Sequence, residues 1–161
     1  MKEVPLTQGQ VALVDDEDFE RLSDHKWCAQ WHPRRQLFVA VRSTPRPNRM
    51  TILMARQVMN APPGMEVDHR DHNTLNNQRG NLRICTVSQN QGNARNRAGC
   101  SSQFKGVCWD RQKQKWLARI RKNYKLHHLG RFNDETEAAR AYNQAAVEMF
   151  GEFAHLNEAT A

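Results

Sequence analysis

The chain has 161 residues, enough for one ordinary domain or for about two or three small ones. Hydrophobic residues make up 39% of it, which excludes a large single core, and no apolar run is long enough to span a bilayer. The first ten residues contain no apolar segment of the kind found in secretory signals, so we expect a cytoplasmic protein.

Positive charge is concentrated in one part of the chain. The formal net charge is +7, and residues 91–140 alone contain twelve Lys or Arg against four Asp or Glu. A basic half beside a nearly neutral half is typical of a protein that binds a polyanion such as nucleic acid.

The four cysteines predict neither a zinc site nor a disulfide framework. They are Cys28, Cys85, Cys100 and Cys108, and no two of them form a C-x-x-C pair. We interpret all four as small thiols that are buried or half-buried.

Residues 1–63 are predicted to form a small β-rich module. Strands are expected at residues 11–14, 27–31, 37–42 and 50–53, and a short helix at residues 54–59. The acidic cluster at residues 15–18 lies where a helix N-terminus favours negative charge, which predicts a helix that contains Phe19 and Leu22. Four basic residues of this module are interpreted as a solvated surface in preference to a DNA contact: Lys26, Arg34, Arg35 and Arg42.

Residues 64–96 show the order strand, loop, strand, helix. A short strand is expected at residues 65–67, a polar loop at residues 70–80, and a second strand at residues 82–86. Ser88 is a suitable cap for a helix that continues to about Asn96.

Four side chains in this segment suit phosphodiester hydrolysis. Asp68 is a hard oxygen ligand for Mg²⁺, and the adjacent His69 can accept a proton near neutral pH. Asn90 offers a second, neutral oxygen ligand, with Asn93 as its rival. The side chain of Asn81 either braces the loop or orients His69.

The segment resembles the HNH nuclease family, the ββα-metal fold, in its homing-endonuclease branch. The resemblance is carried by D-H at residues 68–69, N-L-R at residues 81–83 and S-Q-N at residues 88–90. It implies that His69 is the general base, that Asp68 and Asn90 bind the metal, and that Asn81 orients the base. His72 stands where this family commonly has a turn glycine, and residues 54–56 lack a histidine found in other members.

After a linker at residues 97–102, the chain is predicted to form a three-stranded sheet and a helix. The strands are expected at residues 106–109, 116–121 and 125–129. Asp134 opens a long amphipathic helix whose apolar side is rich in alanine, and Gly151 ends it.

This basic region is similar to the plant ethylene-response-factor type of DNA-binding domain, the Apetala family. The similarity covers residues 103–157 and is carried by K-G-V at Lys105, K-W-L-A-R-I at Lys115, L-G-R-F at Leu129 and A-A-R-A-Y at Ala138. One face of the sheet is expected to pack on the helix and the other to enter the DNA major groove. The resemblance implies DNA contacts for Lys105, Trp109, Arg111, Lys115, Trp116, Arg119, Arg121 and His128. Strand alternation indicates that one or two of these are core residues instead, Trp116 foremost.

Together these patterns predict an α+β protein of three modules. Their bounds are residues 1–63, the nuclease at 64–96, and the sheet-plus-helix DNA-binding domain at 103–157. The predicted activity is hydrolysis of duplex DNA with one divalent ion, Mg²⁺ in preference to Mn²⁺, by a homing-type, phage or mobile-element endonuclease. We expect a monomer or weak dimer near the nucleoid, with no membrane contact and no small-molecule substrate. Two alternatives remain open: a non-catalytic DNA-binding regulator with a vestigial HNH fold, and an RNA-binding accessory protein.

Overall fold

The computed structural model describes residues 1–33, 35–96 and 101–158. The chain divides into two compact units, Met1–Thr86 and Val87–Ala161. Within the described residues, the first unit contains three small antiparallel sheets and the second contains one, and each has few helices, which confirms the α+β class. No helix in the described ranges is both long and apolar enough to cross a membrane. Arg34, Cys100 and most of the predicted linker lie outside the described residues.

The first unit begins with two small antiparallel sheets. Strands β1 (Lys2–Pro5) and β2 (Val11–Val14) form a hairpin, and helix α1 (Asp16–Ser23) follows. The next sheet has the order β3, β4, β5, and its strands are β3 (Cys28–His32), β4 (Leu37–Ser43) and β5 (Thr51–Leu53). Helix α2 (Met54–Met59) begins directly after β5 and ends at Asn60, which adopts a left-handed conformation with φ of 47°.

One apolar cluster joins these elements. Its fully buried members come from β1, β2, α1, β4, α2 and the following strand pair. They include Val4, Val14, Leu22, Met54, Val58 and Leu82, each at most 3% exposed. Because this core draws on residues as far apart as Val4 and Leu82, the N-terminal module and the first part of the nuclease segment fold as one body.

Strands β6 (Glu66–His69) and β7 (Leu82–Cys85) form an antiparallel pair at the end of the first unit. The loop between them is anchored on β2. The Leu13 N–H donates to Leu75 O at 2.8 Å, and the Asn77 N–H donates to Leu13 O at 2.7 Å. The loop therefore gains a short parallel bridge to the N-terminal hairpin.

The second unit begins with helix α3 (Val87–Asn93). An antiparallel sheet follows, of β8 (Val107–Asp110), β9 (Lys115–Lys122) and β10 (Lys125–Phe132), with β9 in the centre. Helix α4 (Glu135–Phe150) crosses this sheet, and Asp134 caps it by accepting a hydrogen bond from the Glu137 N–H at 2.9 Å.

Small residues let α4 approach the sheet closely. Ala138 and Ala139 on the helix pack against Val107 and Ala118 on the sheet, and all four are at most 4% exposed. Gly106 has φ of +77°, and a Cβ at that position would lie 2.1 Å from the ring of Tyr142. A side chain is therefore excluded at Gly106 both by backbone conformation and by the helix packed above it.

Three details differ from expectation. Helix α3 ends at Asn93, so Asn96 lies beyond it, where its Nδ2 donates to Ser102 O at 3.0 Å and Phe104 O at 3.2 Å. Cys28 is exposed, whereas Cys85 is buried and Cys108 half-buried, and all three are free thiols. The strand β1 at the N-terminus was not predicted.

Candidate active site and nucleic-acid interface

Asp68 lies at a buried position of β6 and is held by an arginine on the neighbouring strand. It stands opposite Arg83 in the β6–β7 register, and Arg83 donates from Nε and Nη2 to Asp68 Oδ2, both at 2.8 Å. Asp68 is 5% exposed and Arg83 is 8% exposed. Because a buried carboxylate is stable only with such a partner, this pair fixes the position of the Asp68 side chain.

His69, the next residue, is half-buried and points to the other side of the strand. Its Nε2 lies 3.4 Å from Oδ1 of Asn77. Asn77 is 1% exposed and its Nδ2 donates to Leu75 O at 3.2 Å, so the amide oxygen is the atom turned towards the imidazole. An acceptor at Nε2 favours the ring with its proton there, which leaves Nδ1 as the basic atom.

The surroundings of His69 change the pKa of its imidazole. Burial lowers the pKa of His69, and the hydrogen bond to Asn77 and the charges of Asp71 and Asp68 offset this only in part. A lowered pKa leaves the imidazole neutral near pH 7, and only the neutral ring can act as a base.

Asn81 braces the loop that follows His69. Its Nδ2 donates to Asp71 Oδ1 at 2.9 Å and to Asn76 O at 2.8 Å, and its Oδ1 accepts from the Asp71 N–H at 3.1 Å. Of the two roles left open by the sequence, the contacts fit bracing. The amide against the imidazole is that of Asn77, which lies in the predicted polar loop and was not selected from the sequence.

His72 occupies the tip of this loop in a left-handed conformation, with φ of 64°. The conformation is one that glycine adopts without strain and that histidine adopts at a cost. His72 therefore replaces the glycine that the HNH resemblance implies at a position where the backbone conformation does favour glycine.

The acidic cluster at the start of α1 ties the same loop to the N-terminal hairpin. Asp15 accepts from the Arg79 N–H at 2.7 Å and from Gln78 Nε2 at 3.0 Å. Asp18 is 2% exposed and accepts from Arg79 Nε at 2.8 Å and Nη2 at 2.9 Å. Burial alone would raise the pKa of Asp18, but hydrogen bonds from Arg79 and Arg21 outweigh it and the pKa lies below its usual value.

Asn90 and Asn93 lie on α3, which belongs to the second unit. Asn90 is half-buried and Asn93 is 6% exposed. The helix is fixed to the sheet domain by Lys105, whose Nζ donates to Gly92 O at 2.6 Å and to Gln91 O at 3.2 Å. Burial lowers the pKa of Lys105 to about 8.

The sheet of the second unit presents a basic face. Ala118 and Ile120 of β9 point to the core, whereas the alternate residues are turned away from α4. Of the residues predicted to contact DNA, those with exposed side chains are Arg111, Lys115, Arg119, Arg121 and His128. His128 pairs with Arg119 across the β9–β10 ladder, so these two side chains lie on the same face.

Three residues predicted to contact DNA are placed elsewhere. Trp116 packs against the core of the sheet domain, and Trp109 pairs with it across β8 and β9, with ring centroids 5.0 Å apart. Lys105 is half-buried, with its ammonium on the carbonyls of α3. Their roles as DNA contacts stay predictions. Alternation along β9 directs Trp116 inward, and Trp109 of β8 lies on the same face because it pairs with Trp116.

Arg131 is a basic residue of the exposed face that sequence reasoning did not select. It pairs with Leu117, and its Nε donates to Asp110 Oδ2 at 2.9 Å. An irregularity in the ladder between His128 and Gly130 changes the alternation along β10. Without this irregularity, regular alternation from His128 would turn Arg131 towards the core, so alternation alone does not select Arg131 from the sequence.

The two predicted metal ligands, Asp68 and Asn90, are donor types that suit a hydrated divalent ion better than a structural metal. The described ranges contain no group of three or more His, Cys, Asp or Glu side chains that could hold a metal. One carboxylate and one amide oxygen suit Mg²⁺, which keeps several waters, and do not suit zinc, which takes four nitrogen or sulfur ligands. Since Arg83 binds Asp68 Oδ2, an ion would share the carboxylate with that guanidinium.

Comparison with protein families matches two parts of the chain. Residues 60–92 match the HNH endonuclease family, and residues 102–152 match the AP2 domain family. The HNH match precedes the AP2 match along the chain. The predicted resemblance to HNH nucleases and the predicted resemblance to the Apetala type of DNA-binding domain are thereby confirmed.

Two curated relatives match the chain. An uncharacterized HNH endonuclease of Acanthamoeba polyphaga mimivirus is 40% identical over 97 residues, which is 60% of this chain and 49% of that protein. Protein 3.8 of Escherichia phage T7 is 29% identical over 95 residues, 59% of this chain and 78% of that protein. The match therefore spans about half the length of the mimivirus relative. No solved structure matches the chain.

Proposed function

We propose that the chain is a divalent-metal-dependent endonuclease that hydrolyses phosphodiester bonds in duplex DNA, with Mg²⁺ as the preferred ion. The observation that carries the proposal is the half-buried His69, in contact with Asn77, beside the buried Asp68 in a segment that matches the HNH endonuclease family. The relatives from a virus and a phage favour a homing, phage or mobile-element role.

In the proposed mechanism, His69 accepts the proton of the attacking water at Nδ1. The Nε2–H···Oδ1 contact with Asn77 keeps the ring in the tautomer that this step requires. Asp68 and Asn90 would hold the divalent ion, which supplies positive charge to the scissile phosphate and the leaving oxygen. The proposed role of Arg83 is to keep the Asp68 carboxylate in place, and that of Asn81 is to hold the loop shape behind His69.

The AP2 domain is proposed to hold the enzyme on duplex DNA. Its exposed face carries Arg119, Arg121 and His128 with no intervening acidic side chain on β9. Arginine fits both phosphates and the major-groove edge of guanine. Nonspecific affinity of this kind falls steeply as salt rises.

A second candidate, a DNA-binding regulator with an inactive HNH segment, is favoured by one observation. Arg83 already neutralises Asp68, the one carboxylate proposed as a metal ligand. In a regulator this pair would serve only to stabilise the strand pair β6–β7.

Removal of the metal separates the two candidates. Purified protein is incubated with supercoiled plasmid in Mg²⁺, in Mn²⁺ and in EDTA, and binding to a labelled duplex is measured in parallel. The nuclease proposal predicts nicked or linear plasmid with either ion, none in EDTA, and recovery when Mg²⁺ is restored. Intact plasmid under all conditions, with duplex binding retained, supports the regulator. Binding to RNA alone would support the accessory-protein alternative.

A further inference from the structure

The near-neutral charge of the first unit conceals two segments of opposite sign. Residues 15–24 contain six Asp or Glu and a single basic residue, Arg21. Residues 25–65 contain seven Lys or Arg and no Asp or Glu. The second segment forms the sheet β3–β4–β5 and helix α2, so this sheet is basic without any compensating acid of its own.

Most of these cations are not used to stabilise the fold. Arg56 donates to the carbonyls of Ala61 and Pro62, and Arg42 donates to Gln57 Oε1 at 2.9 Å. The remaining four that the structure describes are exposed, and in the described ranges their side chains form no hydrogen bond or ion pair. They are Lys26, Arg35, Arg46 and Arg49.

The unpaired cations flank the two ends of one sheet. In the antiparallel order, Lys26 and the β4–β5 loop with Arg46 and Arg49 lie at one end, and Arg35 lies in the turn at the other. The seven residues of β4 span about 20 Å, so these charges are spread over a distance that covers several phosphates of one DNA strand.

An open concavity of about 520 Å³ lies on this sheet. Its lining includes Gln8, Gln30, Trp31, Arg42, Arg49 and Thr51. Trp31 is 46% exposed and packs against Phe38, with ring centroids 4.9 Å apart. Hydrogen-bonding side chains, two arginines and an aromatic ring in a shallow, open surface suit an extended polyanion better than a small enclosed anion.

We propose that the β3–β4–β5 sheet is a second nucleic-acid contact surface, which binds the phosphate backbone of duplex DNA. The choice of duplex rests on the proposed function, since duplex DNA is its substrate. The surface lies in the same compact unit as Asp68 and His69. In the proposal, it therefore gives this unit a DNA contact of its own, separate from that of the AP2 domain. This replaces the interpretation of the basic residues as a merely solvated surface.

The test is the salt dependence of binding, measured with the full chain in EDTA so that no cleavage takes place. Affinity for a short labelled duplex of mixed sequence is measured over a salt series for the wild type and for R46Q/R49Q. The matched control is K2Q/R140Q, which removes the same charge from exposed residues outside the sheet. Unfolding temperatures are compared. Since the side chains of Arg46 and Arg49 form no hydrogen bond or ion pair with the residues that the structure describes, we expect R46Q/R49Q to unfold like the wild type.

The proposal predicts that R46Q/R49Q lowers the slope of log K against log salt by about one to two units, because each lost phosphate contact contributes about 0.9. The control should keep the wild-type slope. An unchanged slope in R46Q/R49Q or an equal loss in the control would overturn the proposal. The same series is measured with single-stranded DNA and with RNA, and a loss that appears only with these ligands would also overturn it. Because the assay measures binding and not cleavage, its result does not depend on whether the protein is a nuclease.

Discussion

At β6 two adjacent side chains serve different purposes because a strand directs them to opposite sides. Asp68 is turned to Arg83 and His69 is turned to Asn77. Residue type and spacing single out Asp68, His69 and Asn81 as candidate site residues in the sequence, and their roles stay predictions. The sequence was not sufficient to select Asn77, which is one of several asparagines in a polar loop. Asn77 is fixed by a backbone hydrogen bond to Leu13, and that pairing depends on tertiary structure.

The contact between Asn77 and His69 predicts a measurable tautomer preference. In Asn77→Ala the acceptor for Nε2–H is lost, and a hydrogen bond worth about 1 kcal/mol corresponds to about a fivefold shift of the tautomer ratio towards Nδ1–H. Nitrogen NMR of histidine-labelled, metal-free protein, at a pH where the ring is neutral, reports the ratio. Asn77→Asp retains an acceptor and should keep the wild-type tautomer. The same ratio in Asn77→Ala and wild type would refute the assignment.

The secondary structure could largely be predicted wherever patterns were strong. The helix at residues 54–59 and the start of strand β4 at Leu37 agree with the structure. The short strand β1 was missed because its four residues contain a proline and a single buried side chain, Val4. Its pairing with β2 and the core beneath it decide the conformation, and neither is visible in local sequence.

The acidic residues at the start of α1 were predicted to stabilise the end of the helix. The structure shows that Asp15 and Asp18 also accept hydrogen bonds from Arg79, in the loop between β6 and β7. Because the buried Asp18 binds Arg79 through both oxygens, we expect Asp18→Asn to lower the free energy of unfolding by about 2 kcal/mol. Glu17→Gln is the matched control: Glu17 contacts the same Arg79 at 2.8 Å but is largely exposed, so its loss should cost under about 0.5 kcal/mol. Urea denaturation measures the free energy of unfolding of both variants. Equal losses would contradict a stabilising role for the buried Asp18–Arg79 pair.

The pKa of Asp18 gives this difference a pH dependence. Its pKa in the folded protein lies below the ordinary 3.8, so its contribution is fully present above that value and is lost as pH falls through the lowered pKa. The gap in unfolding free energy between wild type and Asp18→Asn should therefore be constant near neutral pH and close at strongly acidic pH. A gap that widened on acidification would show that the carboxylate is not the stabilising form.

Over the whole molecule, the strong charge of the AP2 domain could be predicted, but the charge of the first unit could not. Summed along the chain, the acidic residues of α1 cancel the basic residues of β3–β5. The sequence assigns them to different predicted elements, but only the folded structure shows that Lys26, Arg35, Arg46 and Arg49 have no ion-pair partner within the described ranges. The proposed enzyme thus has two basic surfaces, one on each compact unit.

The exposed face of the AP2 domain supplies the matching prediction for the second unit. Changing Arg119 and Arg121 together to Ala should weaken duplex binding and lower the salt slope by up to about two units, because both arginines are exposed on the sheet. Fluorescence anisotropy over a salt series measures the slope, with K2Q/R140Q as the control. An unchanged slope would remove strand β9 from the DNA interface.

The most direct test of the proposed nuclease is the single-turnover rate of plasmid cleavage in Mg²⁺ for His69→Ala beside His25→Ala. A general base contributes about 10²- to 10⁴-fold, so we expect His69→Ala to lose at least about 100-fold. His25 is exposed and follows α1, and its replacement should leave the rate within about twofold of wild type. Cleavage by His69→Ala at the wild-type rate, with His25→Ala also unchanged, would contradict the assignment of His69 as the base.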